Sequence, residues 1–267
     1  MPFSFHTVSA LVLRYIYLYT RNPVRFVELI FWPLVDLLMW GFLTIYLQKQ
    51  GAGQFPTTIT YLIGGMILWD VLFRSQQGVA ISFLEDVWTR NLLNVFVAPV
   101  RTSEYVGATC VVGVLRVLVT LIVLTVVAAL AYQFHITDLG LGLLPFLGNL
   151  IVFGWFLGMI STALIMRWGQ AAESLAWAVP FFIQPLAAVF YPVSVLPSWL
   201  QPIAMALPCT HVFEGMRSVL AGHPVPWGNV QSAVVLNLLW GAVAGIFFAA
   251  NLRHVRKTGL LVKVATQ

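Results

Sequence analysis

Apolar runs of about twenty residues, broken by short polar stretches, recur along the whole chain. At about 1.5 Å per residue, such a run crosses the ~30 Å hydrocarbon core of a bilayer as a helix. The runs predict six spans over residues 24–47, 59–83, 105–134, 141–166, 171–190 and 230–252. Continuous runs fit helices, which satisfy their own backbone, and do not fit the short alternating strands of a barrel. The expected fold is an all-α polytopic membrane protein, a single transmembrane domain over 1–267.

Departures from the apolar pattern predict the remaining elements. Before the first span, Val8, Leu11, Val12, Tyr15 and Tyr19 recur at helical spacing, with Leu13 and Leu18 blurring the stripe. The segment 5–22 therefore reads as an interfacial elbow helix lying on the membrane. Asn22 caps the first span, Pro23 sits in its first turn, and Pro33 predicts a kink. Residues 48–58 form a loop. The second span is apolar to Trp69, then carries Asp70, Arg74, Ser75, Gln76 and Gln77, a half that cannot face lipid comfortably.

Beyond Phe83 the pattern predicts one amphipathic helix over 84–101. Leu84, Val87, Trp88, Leu92, Val95 and Phe96 form one face, and Asp86, Arg90 and Asn94 the other. Pro99 stops it, and Thr102 or Ser103 caps the next helix. The third span exceeds what a bilayer needs, so it tilts or projects inward. Gly154 and Gly158 make a small-xxx-small step where another helix can approach. Arg167 to Gln170 is a tight turn, and Pro180 and Pro185 bend the fifth span. After Tyr191-Pro192 the chain is too proline-punctuated to cross again. Pro197 starts a short helix, Ser198 to Ala206, and Pro208 ends it. Thr210 caps a second helix through Glu214 and Arg217 to Ala221, closed by Gly222 and Pro224. Trp199, Leu200, Ile203, Met205 and Leu207 suit this external re-entrant hairpin, 191–226, to the outer membrane interface.

Composition supports the membrane reading. The chain is 60% hydrophobic and 9% charged, whereas soluble domains carry roughly a quarter charged residues. A net charge of +5 could suit nucleic acid, but the basic residues scatter at span ends rather than cluster in one patch, which membrane orientation explains better. Arg14, Arg21, Arg25, Arg90, Arg101, Arg167, Arg253, Arg256, Lys257 and Lys263 fall on one side, against Lys49 and Arg217 on the other. Both termini are expected to be cytoplasmic. Arg14 and Arg21 interrupt the first apolar run, which argues against a cleaved signal peptide. Cys110 and Cys209 lack a metal-type spacing, the five histidines are dispersed, and no paired-carboxylate or nucleophile constellation suggests hydrolysis. No G-x-x-x-x-G-K-[ST] is present, so the chain has no P-loop of its own.

Four charges stand inside the predicted spans: Asp36, Asp70, Arg74 and Arg116. Asp70 and Arg74 are four apart and suit a pair on one helix face. Asp36 and Arg116 lie at depths that allow an interhelical pair, and Arg116 can instead snorkel towards the cytoplasm. Either these charges are structural pairs or they line a path for a polar substrate group.

The run FYPVSVLPSWLQPIAMALPCTHVFEGMR resembles the signature of the ABC type-2 permease family, the membrane subunits of ATP-driven exporters. Phe190, Pro192, Leu196, Pro197, Trp199, Pro208, Glu214 and Arg217 match its order, while Ala187-Ala188 stands where the family usually has a Ser-Gly pair. The resemblance implies that 84–101 is a coupling helix seated on an ATPase subunit, with Glu85, Asp86, Arg90 and Asn94 ahead of Pro99 and Arg101. It further implies a homodimer, or a heterodimer with a similar subunit, bound to two copies of an ABC ATPase subunit. ATP and Mg would bind those partners, and no cofactor this chain. The implied function is export of an amphipathic, lipid-like, drug-like or glycan-linked substrate across the cytoplasmic (inner) membrane of a bacterium or archaeon. A rival reading is an ion-coupled secondary transporter relaying protons through Asp36, Asp70 and Arg116. A membrane-embedded lipid enzyme is disfavoured by the missing catalytic groups.

Overall fold

A computed structural model describes residues 3–49 and 56–259. Every regular element among them is helical: α1 (Phe5–Thr20), α2 (Pro23–Lys49), α3 (Pro56–Trp88), α4 (Leu92–Val97), α5 (Thr102–Tyr132), α6 (Leu143–Trp168), α7 (Glu173–Leu186), α8 (Gln201–Met205), α9 (Pro208–Leu220) and α10 (Trp227–Thr258), with short 3-10 turns between. Among the described residues, four stretches are long and apolar enough to cross a membrane: Pro23–Tyr46, Thr102–Tyr132, Ile136–Trp168 and Trp227–Thr258.

The second and fifth expected spans depart from that rule for different reasons. α3 is the hub of the bundle, packed most extensively against α6 and α5 and also against α2, α7 and α9. Almost every side chain from Ile63 to Val87 is buried by protein, so its polar positions never face lipid. The Ser75 hydroxyl donates to the Ile151 carbonyl (2.7 Å), and the Gln76 amide to the Ala176 carbonyl (2.9 Å). A helix satisfied in this way by its neighbours does not need an apolar sequence. α7 has only 14 residues, about 21 Å of helix, and ends at Leu186 rather than Phe190. Pro180 and Pro185 both lie within it, and Pro33 lies within a continuous α2.

Close backbone contacts hold α3 between its neighbours. A side chain at Gly154 would strike the Leu72 carbonyl (2.6 Å), and one at Gly158 the Gln76 carbonyl (2.8 Å), so α3 is the helix that approaches this step. On its other side, Gly78 lies against the backbone of Gly113 on α5. α10 is fastened to α6 by the buried Asn237 amide, which donates to the Asn149 Oδ1 at 2.9 Å.

Three local readings need correction. Residues 84–101 are not one helix. α3 continues to Trp88, the chain turns through Thr89 to Asn91 with Arg90 at a left-handed φ of 54°, and α4 is a separate six-residue helix. Neither Thr102 nor Ser103 caps α5. Arg101 takes the N-cap position, and the Glu104 carboxylate accepts from the backbone N–H of Arg101 (2.9 Å) and, across the fold, of Ser4 (2.8 Å). In the hairpin, the first helix begins at Gln201, and the second begins at Pro208 behind Leu207, leaving Thr210 buried inside α9. The Phe96 side chain, Lys263 and most of the 48–58 loop lie outside what is described.

Candidate functional site

Adjacent carboxylates at the end of α3 build a polar knot that ties α1 and α2 to the bundle. Asp86 receives the Arg14 guanidinium at 2.6 Å and the hydroxyls of Tyr15 (2.7 Å) and Tyr105 (2.8 Å). Glu85 receives the Tyr19 hydroxyl at 2.7 Å and ion pairs at 3.5 Å with both Arg25 and Arg116. Both acids are buried, and point in different directions because consecutive helical residues lie about 100° apart. Burial beside Asp86 pushes the Tyr15 phenol well above its ordinary range, and burial does the same for Tyr19 near Glu85. Both phenols stay protonated and donating.

That upward shift carries a sign. Because the folded pKa of Tyr15 is raised, its stabilisation is complete below the unfolded value near 10 and is lost as pH rises towards the folded one. Tyr15→Phe is expected to cost about 1–3 kcal/mol near neutral pH by leaving Asp86 short of a donor. Thermal unfolding in detergent should show the gap between wild type and variant narrowing above about pH 10.

Immediately after the knot the chain becomes exposed. Arg90, Asn94, Pro99 and Arg101 are accessible, and Val97 is 85% exposed, while Leu92 and Val95 turn inwards. The six residues proposed for coupling from sequence thus divide: Glu85 and Asp86 face the interior, and the other four face outwards.

Between α2, α3 and α7 lies a cleft of about 750 Å³. Its base is the Glu85, Arg25 and Arg116 cluster, and its walls include Trp32, Asp36, Phe73 and Phe181. Asp70 and Arg74 pair at 3.1 Å, and Arg74 also donates to the Gln77 side chain at 2.8 Å. Asp36 and Arg116 do not form the interhelical pair that their depths suggested. Arg116 belongs to Glu85, donates to the Gln77 carbonyl at 3.3 Å and lies over the Tyr19 ring, whereas Asp36 is exposed to the cleft. The polar roles of Tyr15, Tyr19 and Tyr105 were missed by sequence reasoning, whereas Gln77 stood out only as one of the polar positions of the second span. The three tyrosines are visible only as ordinary residues of an amphipathic or apolar helix.

At the far end of the bundle, Glu214 and Arg217 clamp the break that follows α7. The Arg217 guanidinium donates to the Ala188 carbonyl (2.8 Å) and pairs with Glu214 (2.9 Å), while Glu214 accepts from the Val193 N–H (2.8 Å). Ala188 has a left-handed φ of 52°, and both it and Ala187 are fully buried. Alanine, with no side chain beyond Cβ, fits the close packing here, while its left-handed backbone is a strained conformation that the Arg217 and Glu214 hydrogen bonds hold in place. Pro192 opens a 3-10 turn at Val193–Val195, the Pro197 carbonyl starts the next turn, and Pro208 opens α9. Trp199 is 69% exposed, and Ile203 and Met205 are exposed, but Leu207 and most of α9 are packed inside the bundle.

Residues 6–221 match the family model described as ABC-2 type transporter. The chain belongs to the ABC-2 type transporter family. No curated protein matches it. The matched region includes all but the first residue of α1, the end of α3, the cleft and the whole Glu214–Arg217 clamp. Membership makes the chain a multi-pass membrane protein and the permease component of an ABC transporter, in general partnered by an ABC ATPase subunit.

Proposed function

We propose that this ABC-2 type transporter chain is an exporter subunit driven by a separate ATPase through the exposed segment from Thr89 to Arg101. The observation that carries the reading is the break after Trp88. A turn presenting Arg90 and a short helix presenting Asn94 and Val97 outwards follow an α3 terminus whose two buried acids grip α1 and α2. A push on α4 would reach three helices through ion pairs and packed side chains rather than being absorbed in a loop.

In this reading α1 is the interfacial elbow and α4 the coupling helix. α2, α3, α5, α6, α7 with the turn after it, and α10 supply six spans, and α8 and α9 form the external re-entrant hairpin. Both termini are cytoplasmic, two permease chains form a homodimer, and two ATPase copies bind ATP and Mg. The α2, α3 and α7 cleft lines the export path across the inner membrane. An ion-coupled carrier is less favoured, because Asp70 and Arg116 are engaged by Arg74 and Glu85, and among the described residues no hydrogen bond or ion pair joins either to Asp36.

Photocrosslinking tests the assignment. With p-benzoylphenylalanine at Asn94 in the intact membrane, the expected adduct is to a chain containing a P-loop. The same probe at exposed His135, at the opposite end of α5, should give none. Adducts at position 135 alone, or none at 94, would contradict the assignment.

A further inference from the structure

We infer that the cleft takes a lipophilic organic cation, held by Asp36 against an aromatic wall; this rests on the proposed role of the cleft as the export path. Glu28, Trp32 and Asp36 follow one another at intervals of four on α2, and therefore share one face of that helix. All three are exposed, and all three line the cleft. The wall contributed by α3 and α7 consists of Phe73, Trp177 and Phe181, with Phe73 lying 6.5 Å from Trp177 and 5.6 Å from Phe181, centroid to centroid. A carboxylate stripe thus faces a cluster of π-faces.

The charges of the cleft decide the sign of its ligand. Arg74 is paired with Asp70, whereas Arg25 and Arg116 share the single carboxylate of Glu85 and leave one positive charge in excess there, against which Glu28 and Asp36 add two negative charges. Neither Glu28 nor Asp36 has an ion pair among the described residues, although the charges of Asp70 and, less strongly, Arg74 lie near enough to Asp36 to be felt electrostatically. The aromatic faces divide in the same way. Phe73 and Tyr19 already have the protein's own guanidinium groups over them, while Trp32, Trp177 and Phe181 carry no such cation among the described residues. A carboxylate within a membrane span is costly and calls for a counter-charge. A bulky ammonium or phosphonium with apolar substituents supplies that charge, stacks on the free aromatic faces and covers the apolar wall. The volume of about 750 Å³ accommodates a molecule of drug size.

Equilibrium dialysis of the purified full chain with radiolabelled tetraphenylphosphonium tests the proposal. Expected is saturable binding, weakened at least about ten-fold by Asp36→Asn and kept within about three-fold by Asp36→Glu. Asp138→Asn, which changes an exposed carboxylate away from the cleft, should leave binding unchanged. Tetraphenylborate, similar in shape and opposite in charge, should not bind when dialysed alone in place of the phosphonium. Equal binding of the borate, absence of phosphonium binding, or indifference to Asp36→Asn would overturn it. The crosslink at position 94 separates this from the exporter reading. A retained crosslink without phosphonium binding defeats only the cation, and Asp36-dependent binding without the crosslink defeats only the ATPase coupling.

Discussion

Gly78→Ala is expected to lower the stability of the protein by about 1–3 kcal/mol, or to prevent recovery of folded material, because the added methyl group meets backbone rather than a movable side chain. An alanine Cβ at position 78 would lie 2.6 Å from the Gly113 nitrogen and closer still to its Cα. Neither atom can move without displacing α5. Since α3 is wedged between α5 and α6, and meets the latter through Gly154 and Gly158, a shift on one side cannot be absorbed on the other. Gly107→Ala is the control, because nothing lies within 4 Å of a Cβ there. It should be neutral or stabilising by about 0.5–1 kcal/mol, the usual gain of alanine over glycine inside a helix. Thermal unfolding of both variants in one detergent makes the comparison. Equal stability of Gly78→Ala and wild type would mean that α3 and α5 do not approach so closely.

Glu85→Gln should be comparably damaging, costing about 3–5 kcal/mol, for an electrostatic reason. The substitution keeps the shape but removes the charge shared by Arg25 and Arg116. Arg25 can relax outwards, since 29% of its side chain is exposed, but the Arg116 side chain is 6% exposed and its Nε and Nη2 make no other hydrogen bond. A buried guanidinium without its counter-ion is the expensive product. Adding Arg116→Met should therefore recover much of the loss, a coupling that a double-mutant cycle measures directly. If the double variant is no more stable than Glu85→Gln alone, the two residues are not coupled as the geometry requires.

Much of this architecture could be read from the chain, for identifiable reasons. The long helices announce themselves through uninterrupted apolar runs, and the Gly154–Gly158 step through its spacing. The prolines, Glu214 and Arg217 were legible as a signature, though only the structure shows their job, which is to hold the carbonyls and the amide released where α7 ends. The break at Thr89 to Asn91 was hidden, because it contains neither glycine nor proline and the apolar periodicity of Leu84, Val87, Leu92 and Val95 runs straight across it. All four are in fact buried, on two helices rather than one.

Pairing between helices was the least legible feature. Sequence depth placed Asp36 opposite Arg116, but depth fixes only one coordinate. Rotation about the helix axis turns Arg116 towards Glu85 and leaves Asp36 facing open space. The tyrosines of the polar knot were equally silent. Tyr15 appeared as one more apolar position of an amphipathic helix, and its hydroxyl acquires a role only when Asp86 arrives from 71 residues away.

The dependence of transport on its energy source tests most directly the claim that a partner ATPase drives this permease. Inverted vesicles containing the chain and its ATPase subunit would be given ATP in the external medium, and accumulation of a fluorescent amphiphile in the lumen followed with and without a protonophore. Accumulation should continue when the proton gradient is collapsed, stop when ATP is withdrawn, and fall sharply when Arg90 and Asn94 are both replaced by alanine. Accumulation driven by an ion gradient in vesicles that lack the ATPase subunit would contradict it.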